Sequence, residues 1–364
     1  MGQLTGMRFA FTDEQVMIAE TARDLFGAEA TSERTRAAML DRSGFDRALW
    51  ARLSELGLSG ISLPGGEGGA GLGMVELAIL AEAAGAGTAA LPFLASSVMA
   101  GAALAAGGTA EQRARWLPGI ASGRAIGTLA VDCDAGLATR AGGRIDGTFV
   151  AVPHGGEADL LLVAVDGAVA LVTRDAPGLG IISQVTMDQT RPLARIDLRG
   201  VEPQAWLADP AKALDAARTA GCIAIAADSL GGAQACLDRT VEYAGDRVQF
   251  GRTIGSFQAV KHRLADMMVE IEQARSAVYW AACAVDESAA DAAIAVHAAK
   301  AFATETYADC AGAMIQLHGG IGFTWEHDAH LYFKRARANL TLLGTPDWHR
   351  ERIARLIGLG AIAA

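Results

Sequence analysis

Arg247-Val-Gln-Phe-Gly-Arg-Thr-Ile-Gly-Ser-Phe-Gln258 closes one long helical pattern and opens the next. Behind it, from Ala211 to Gly245, and ahead of it, from Phe257 to Asp286, apolar residues recur at helical spacing. A third helical stretch, Ala289 to His318, runs into Gln316-Leu-His-Gly-Gly-Ile-Gly-Phe-Thr-Trp325, and a last one spans Asp347 to Leu359. Arg247, at a helix C-terminus, can complement the helix dipole or reach out to a phosphate. The paired Gly319 and Gly320 expose backbone N–H groups suited to the close approach of an anionic or adenosine group.

Upstream the character changes twice. From Thr12 to about Gly123 the pattern is helical, with Thr12 as N-cap of a stripe through Val16, Ile18, Ala22, Leu25 and Phe26. Further helices are expected at Phe45 to Leu56, Met74 to Ala84 and Glu111 to Leu117, where Pro118 and Gly119 punctuate. Between Ile126 and Val201 come short β-type runs: Ile126–Val131, Thr148–Val152, Leu160–Val165, Ala168–Thr173, Leu179–Ile182 and Ala194–Leu198. Asp146-Gly147, Asp166-Gly167 and Pro177-Gly178 are the expected turns. Helices, then strands, then helices, without β-α alternation, disfavour a doubly wound sheet. The expected fold is α+β and mainly α: a helical domain over 1–123, a β domain over 124–208 and a helical bundle over 209–364.

Composition agrees and excludes alternatives. The 364 residues carry 31 Lys+Arg against 41 Asp+Glu, a net charge of −10, which gives no electrostatic footprint for nucleic acid or an anionic membrane surface. A hydrophobic fraction of 51% with 20% charged residues excludes a disordered chain. The charge-free run Ala83–Ala110 holds Pro92 and several glycines, and reads as buried helices joined by a turn rather than a membrane span. Met1-Gly2 opens a segment with no apolar signal core and no Ser or Thr at the sixth position of a myristoylation site, so a cytoplasmic location is expected. The five cysteines, Cys133, Cys222, Cys236, Cys283 and Cys310, are widely spaced and read as core residues.

Other motifs carry less. Gly66-Glu-Gly-Gly-Ala-Gly71 matches G-x-G-x-x-G in form, but lacks the βαβ setting and the acidic residue that holds a ribose, so it reads as a helix connection. Glu326-His327-Asp328-Ala329-His330 reads as a polar helix start rather than a metal site, and no metal is expected. No G-x-S-x-G elbow occurs.

Read together, R-x-x-F-G with a following Gln, and Q-x-x-G-G-x-G, resemble the C-terminal signatures of the acyl-CoA dehydrogenase family. Leu56-Gly-Leu-Ser-Gly-Ile-Ser-Leu-Pro64 and Trp116-Leu-Pro-Gly-Ile-Ala-Ser-Gly123 are similar to its N-terminal segments, so the resemblance covers nearly the whole chain. It implies a flavoprotein with an N-terminal helical domain, a central β-barrel-like domain and a C-terminal four-helix bundle. FAD in that family lies between subunits, one protomer holding the pyrophosphate and adenosine of its neighbour's cofactor. The resemblance carries those roles to Arg247, Phe250, Gln258, Gln316, Gly319 and Gly320. It also implies an acyl-CoA substrate and an electron-transfer flavoprotein as redox partner.

The family's reaction needs a carboxylate to take the α-proton of the thioester while the β-hydride passes to the flavin, and binding alone does not replace that base. Of the two positions that carry it in the family, one is Leu343 here and the other, ten residues before Gly231-Gly-Ala-Gln234, is Gly221. Asp228, two helical turns beyond Gly221, is the nearest substitute. The stretches that would line the flavin, Ala130–Thr139 and Ala151-Val-Pro-His154, also depart from the family pattern. Groups serving a neighbour's FAD thus remain while those serving the chain's own flavin ring are altered. That asymmetry resembles the non-catalytic subunit of α2β2 acyl-CoA dehydrogenases of bacterial steroid and side-chain β-oxidation, paired with a homologous catalytic subunit. Two other readings stay open: a homomeric enzyme using Asp228, and a flavin-free scaffold.

Overall fold

A computed structural model describes residues 10–131 and 138–359. The helices are α1 (Asp13–Glu29), α2 (Ser32–Leu40), α3 (Arg47–Glu55), α4 (Met74–Ala86), α5 (Gly101–Gly107), α6 (Ala110–Ala121), α7 (Pro210–Asp246), α8 (Gln258–Asp286), α9 (Ala292–His318), α10 (Ala329–Thr341) and α11 (Pro346–Leu356). The strands are β1 (Gly127–Ala130), β2 (Ala138–Ala141), β3 (Arg144–Pro153), β4 (Leu160–Val165), β5 (Ala168–Thr173), β6 (Leu179–Gln184), β7 (Leu193–Val201) and β8 (Ala205–Trp206), followed by the short β9 (Val248–Gln249) and β10 (Arg252–Thr253). Helices, strands and helices follow one another in the expected order.

Two compact units form. The first combines the chain up to Ser32, Gly73–Thr88 and everything from Cys222 onward; the second holds Glu33–Leu72 and Ala89–Gly221. In the first unit α1 and α4 pack with the C-terminal helices. Gly85 and Gly231 allow this: a Cβ on Gly85 would lie 2.1 Å from the Asp228 carbonyl oxygen, and one on Gly231 would lie 1.9 Å from that of Glu82. The close approach is then fixed by polar bonds. The Glu82 carboxylate pairs with Arg275 and accepts from Tyr279 Oη at 2.6 Å, and Asp286 of α8 caps the N-terminus of α4 through the Met74 and Val75 N–H groups. The one described helix long and apolar enough to cross a membrane is α7, and 89% of its apolar window is buried, as in a core helix.

In the second unit two four-stranded sheets, ordered β1-β4-β5-β8 and β2-β3-β7-β6, enclose one core that includes Ile145, Phe149, Leu161, Val163, Val172, Ile196 and Leu198. The unbroken apolar run of β4 follows from its place between β1, its parallel partner, and β5. The uncharged segment after α4 supplies a buried π-helical stretch, Leu94–Ala100, whose Ser96 Oγ accepts from the Gly127 N–H at the start of β1 (3.0 Å).

Three local expectations need correction. The turn before β3 is Gly142-Gly143, both left-handed (φ +57° and +82°), while Asp146 and Gly147 lie inside β3. The ladder shifts register there and the Asp146 carboxylate is taken up by the Gly200 N–H. Pro118 does not stop α6, because it falls in the last turn, where the missing N–H removes a single ladder bond, and Ser122 closes the helix on its carbonyl. Helix α10 was legible only as a polar start, since its buried face is built of His330, Arg335 and Asn339 as well as apolar residues. Asp166-Gly167 is the β4–β5 turn as expected, with φ of +47° and +73°.

Candidate functional site

The expected cofactor-facing residues gather at one end of the helical unit. Arg247 follows the last turn of α7, its N–H bonded to the Tyr243 carbonyl at 2.8 Å. Strands β9 and β10 form a two-residue hairpin across Phe250-Gly251, whose positive φ angles (+52° and +77°) match the twist of a tight hairpin turn. The hairpin thrusts Phe250 outward, 93% exposed, and returns the chain to Gln258, the first residue of α8. Arg252 stacks over Phe257 at 3.9 Å.

Tyr243 joins this hairpin to the end of α9. Its ring stacks on His318 with centroids 4.3 Å apart, and its hydroxyl donates to the His318 carbonyl at 3.3 Å. His318 Nδ1 bonds the Met314 carbonyl, and burial lowers its pKa. Gly319, at φ +64°, ends α9 with its N–H on the Gln316 carbonyl, and Gln316, Gly319 and Gly320 are all exposed. A Cβ on Gly320 would meet nothing within 4 Å, so packing does not require glycine there; its effect is to leave the backbone open to an incoming group. The Arg247 guanidinium makes no hydrogen bond or ion pair among the described residues, so its fork is available to an anion. This donor set suits a pyrophosphate: one unpaired fork, the open backbone at Gly320 and the N-terminus of a 29-residue helix. Three exposed aromatic residues, Phe250, Phe323 and Trp325, lie in the same loops.

The base positions hold no base. Leu343 occupies a left-handed position (φ +58°) just past α10, and Gly221 is buried within α7. Asp228 is corrected as a candidate: it is 3% exposed and fully engaged. Arg335 Nη2 donates to its Oδ2 at 2.6 Å, Arg335 Nε to Oδ1 at 3.1 Å, and Asn339 Nδ2 to Oδ1 at 2.9 Å. A carboxylate so held cannot reach a substrate carbon. Of the stretches expected to line the flavin, residues 132–137 lie outside the described residues. Ala151 and His154 take left-handed backbone (φ +58° and +50°), and His154 is buried against Phe45.

Sequence reasoning missed Lys300. It is fully buried in α9, and its ammonium donates to the carbonyls of Leu340, at 3.3 Å, and Gly344, clamping the loop that carries Leu343. The only sequence signal is a lone Lys amid alanines, at a position the helical period assigns to the interior. Burial lowers its pKa to about 8. Since the folded pKa lies below the unfolded value of 10.5, the folded chain binds fewer protons between those limits, and this group makes stability rise as pH climbs from about 8 to 10.5. The full effect is up to about 3 kcal/mol. Urea midpoints of the protein and of Lys300→Met across pH 7.5 to 10.5 check this: their difference should change with pH in that direction, and parallel curves would remove the assignment.

No group of three or more His, Cys, Asp or Glu among the described residues could hold a metal ion. Cys222, Cys236, Cys283 and Cys310 form no disulfide among the described residues, three of them are buried, and burial pushes Cys310 up to about 12. Cys133 lies outside the described residues.

Comparison with known proteins agrees with the arrangement. Residues 12–124 match the acyl-CoA dehydrogenase N-terminal domain and residues 212–358 the acyl-CoA dehydrogenase C-terminal domain. The chain is 38% identical over 345 residues to acyl-CoA dehydrogenase IpdE2 of Mycobacterium tuberculosis, covering 94% of this chain and 96% of that protein. Among solved structures, the ChsE4-ChsE5 complex from Mycobacterium tuberculosis superposes with a TM-score of 0.90 at 31% identity, over 98% of this chain and 100% of that one. The Tcur3481-Tcur3483 steroid ACAD G363A variant gives 0.86 at 36%, over 96% and 99%. A helical unit with an exposed arginine hairpin and a two-sheet unit thus give the mainly helical architecture of these structures. The chain belongs to the acyl-CoA dehydrogenase family.

Proposed function

We propose that this protein is the non-catalytic subunit of an α2β2 acyl-CoA dehydrogenase of the cytoplasm, which carries out FAD-linked α,β-dehydrogenation of an acyl-CoA, the substrate and the base being held by a homologous catalytic subunit. The observation that supports the reading is a contrast along the C-terminal helices: the Arg247 fork and the Gly320 backbone are open, while Leu343 and Gly221 stand where the family resemblance expects a base and Asp228 is locked to Arg335. The ChsE4-ChsE5 complex, named for two different chains, supports a heteromeric partner, and the steroid ACAD supports a steroid-type substrate class. When bound, FAD supplies the hydride acceptor. Arg247 would hold its pyrophosphate, the open Gly320 backbone would face the adenosine half, with Gly319 making the turn that exposes it, and Phe250, Gln258 and Gln316 would line the same end of the bundle. An electron-transfer flavoprotein then reoxidises the assembly.

Co-expression with a homologous chain that carries an intact base, followed by flavin quantitation, tests the proposal. The complex should be yellow and the isolated chain colourless; a yellow homomer would instead be a self-sufficient enzyme. Within the complex, Arg247→Ala should weaken flavin binding about ten- to hundredfold without unfolding the chain, as loss of a charged hydrogen bond costs roughly 1.5 to 3 kcal/mol. Arg247→Lys should rescue it only in part, since the charge returns without the fork. Flavin content indifferent to both variants would take the cofactor role away from Arg247.

A further inference from the structure

A cleft of about 430 Å3 opens in the two-sheet unit at the N-terminal end of the parallel pair β1 and β4. Three guanidinium groups line it, each from a different element: Arg47 begins α3, Arg124 follows α6, and Arg174 follows β5. Such a concentration of positive charge is unexpected in a chain whose net charge is −10.

Two acids share the cleft without cancelling that charge. Glu157 Oε2 accepts from Arg47 Nη2 at 2.8 Å, and Arg47 also stacks over Phe45 at 4.8 Å. Asp159 Oδ2 accepts from the Ile126 N–H at 2.8 Å, in the frame of the sheet, and makes no ion pair with Arg124 or Arg174. Arg124 uses only Nε, toward Ser122 Oγ (3.0 Å), and Arg174 uses only Nη1, toward the Ala158 carbonyl (3.2 Å). Both cations therefore lack a counter-charge among the described residues. The wall between them is fixed: Trp50 Nε1 donates to the Gly123 carbonyl at 2.9 Å, and Gly123 is left-handed (φ +66°) where a Cβ would run into Ser54 and Trp50.

We infer that this cleft binds a phosphate-class anion, either free inorganic phosphate or the terminal phosphate of a phosphomonoester. Two unpaired forks suit a tetrahedral dianion, which offers several acceptor oxygens and neutralises both charges, better than a single carboxylate does. The volume exceeds that of a phosphate alone and leaves room for an ester substituent. None of these residues belongs to the cofactor-facing group, so the inference stands independently of the proposed function.

Isothermal titration of the full chain with inorganic phosphate and with glycerol 3-phosphate, at constant ionic strength and with sodium chloride as blank, is the test. Saturable binding is expected, weakened about ten- to hundredfold in Arg124→Gln and in Arg174→Gln. Arg124→Lys should fall between, because it keeps the charge and loses the fork. Arg199→Gln, an exposed arginine of the same unit outside the cleft, should bind as the unaltered chain does. Tighter binding of the ester would identify an esterified ligand, and equal binding free phosphate. Absence of saturable binding, binding by the two Gln variants as tight as that of the unaltered chain, or capture of polyglutamate in place of both phosphates would overturn the inference, the last pointing to an acidic protein partner.

Discussion

Purified alone and offered short, branched and steroid-derived acyl-CoAs with a dye as acceptor, the chain should turn over at well below ~1 s⁻¹, the low end of ordinary enzyme rates. Leu343 and Gly221 can neither accept a proton nor hold one, and removal of a general base typically costs about 10²- to 10⁴-fold. The segment Ala151–His154, where the family resemblance expects the flavin ring, has left-handed corners and a buried imidazole, and under the proposed function this adds a separate loss. Leu343→Glu should therefore restore little by itself. A further obstacle lies in the loop: Lys300 clamps the Gly344 carbonyl, and Leu343 sits at φ +58°, so a new carboxylate there would project from a backbone fixed around a different residue. Turnover above ~1 s⁻¹ by the pure, homogeneous chain would overturn the non-catalytic reading. With Asp228 held by Arg335 and Asn339, the base would then have to come from a residue outside the family's two positions.

The order of helices and strands was legible because each element keeps one hydrophobic period. The β4 run and the Asp166-Gly167 turn declare themselves locally, and so does the Thr12 cap, whose hydroxyl accepts from the Gln15 N–H while the Gln15 side chain returns to the Thr12 N–H. What the sequence hid was partnership over distance. Nothing local announces that α4 packs with α7, because the signal is a pair of glycines, Gly85 and Gly231, that look like helix weakeners until another backbone is seen against them. The divisions placed at 123 and 208 follow the change of secondary structure, whereas compactness follows which helices meet.

The candidate site divides in the same way. Arg247 in one loop and Gly319-Gly320 in another were legible as motif residues because each motif is a short local spacing, and the tight hairpin and the α9 terminus give them their settings. Lys300 and the partners of Asp228 were not, since Lys300 meets Gly344 across 44 residues and Asp228 meets Arg335 across 107. A buried charge is identified by its partner, and that partner is set by the tertiary fold.

Asp228→Ala should be among the most destabilising single substitutions in the helical unit, by about 3 to 5 kcal/mol, because it leaves Arg335 buried without its counter-charge. Arg335→Ala should cost a similar amount for the reciprocal reason. The pair itself is a different matter: both side chains lose hydration, and that loss offsets most of their attraction. The double variant Asp228→Leu with Arg335→Met should consequently lie much closer to the unaltered protein than either alanine variant does. Urea unfolding of the protein, of Asp228→Leu and Arg335→Met singly and of their double variant closes the cycle and reads this as a coupling energy, and additive losses would show that the two residues act separately. The same variants decide between a structural and a chemical Asp228. In a complex with an intact catalytic partner, the double variant should retain the turnover of the folded assembly, since it removes a lock between α7 and α10 and no proton acceptor. Loss of turnover with stability preserved would make Asp228 a base after all.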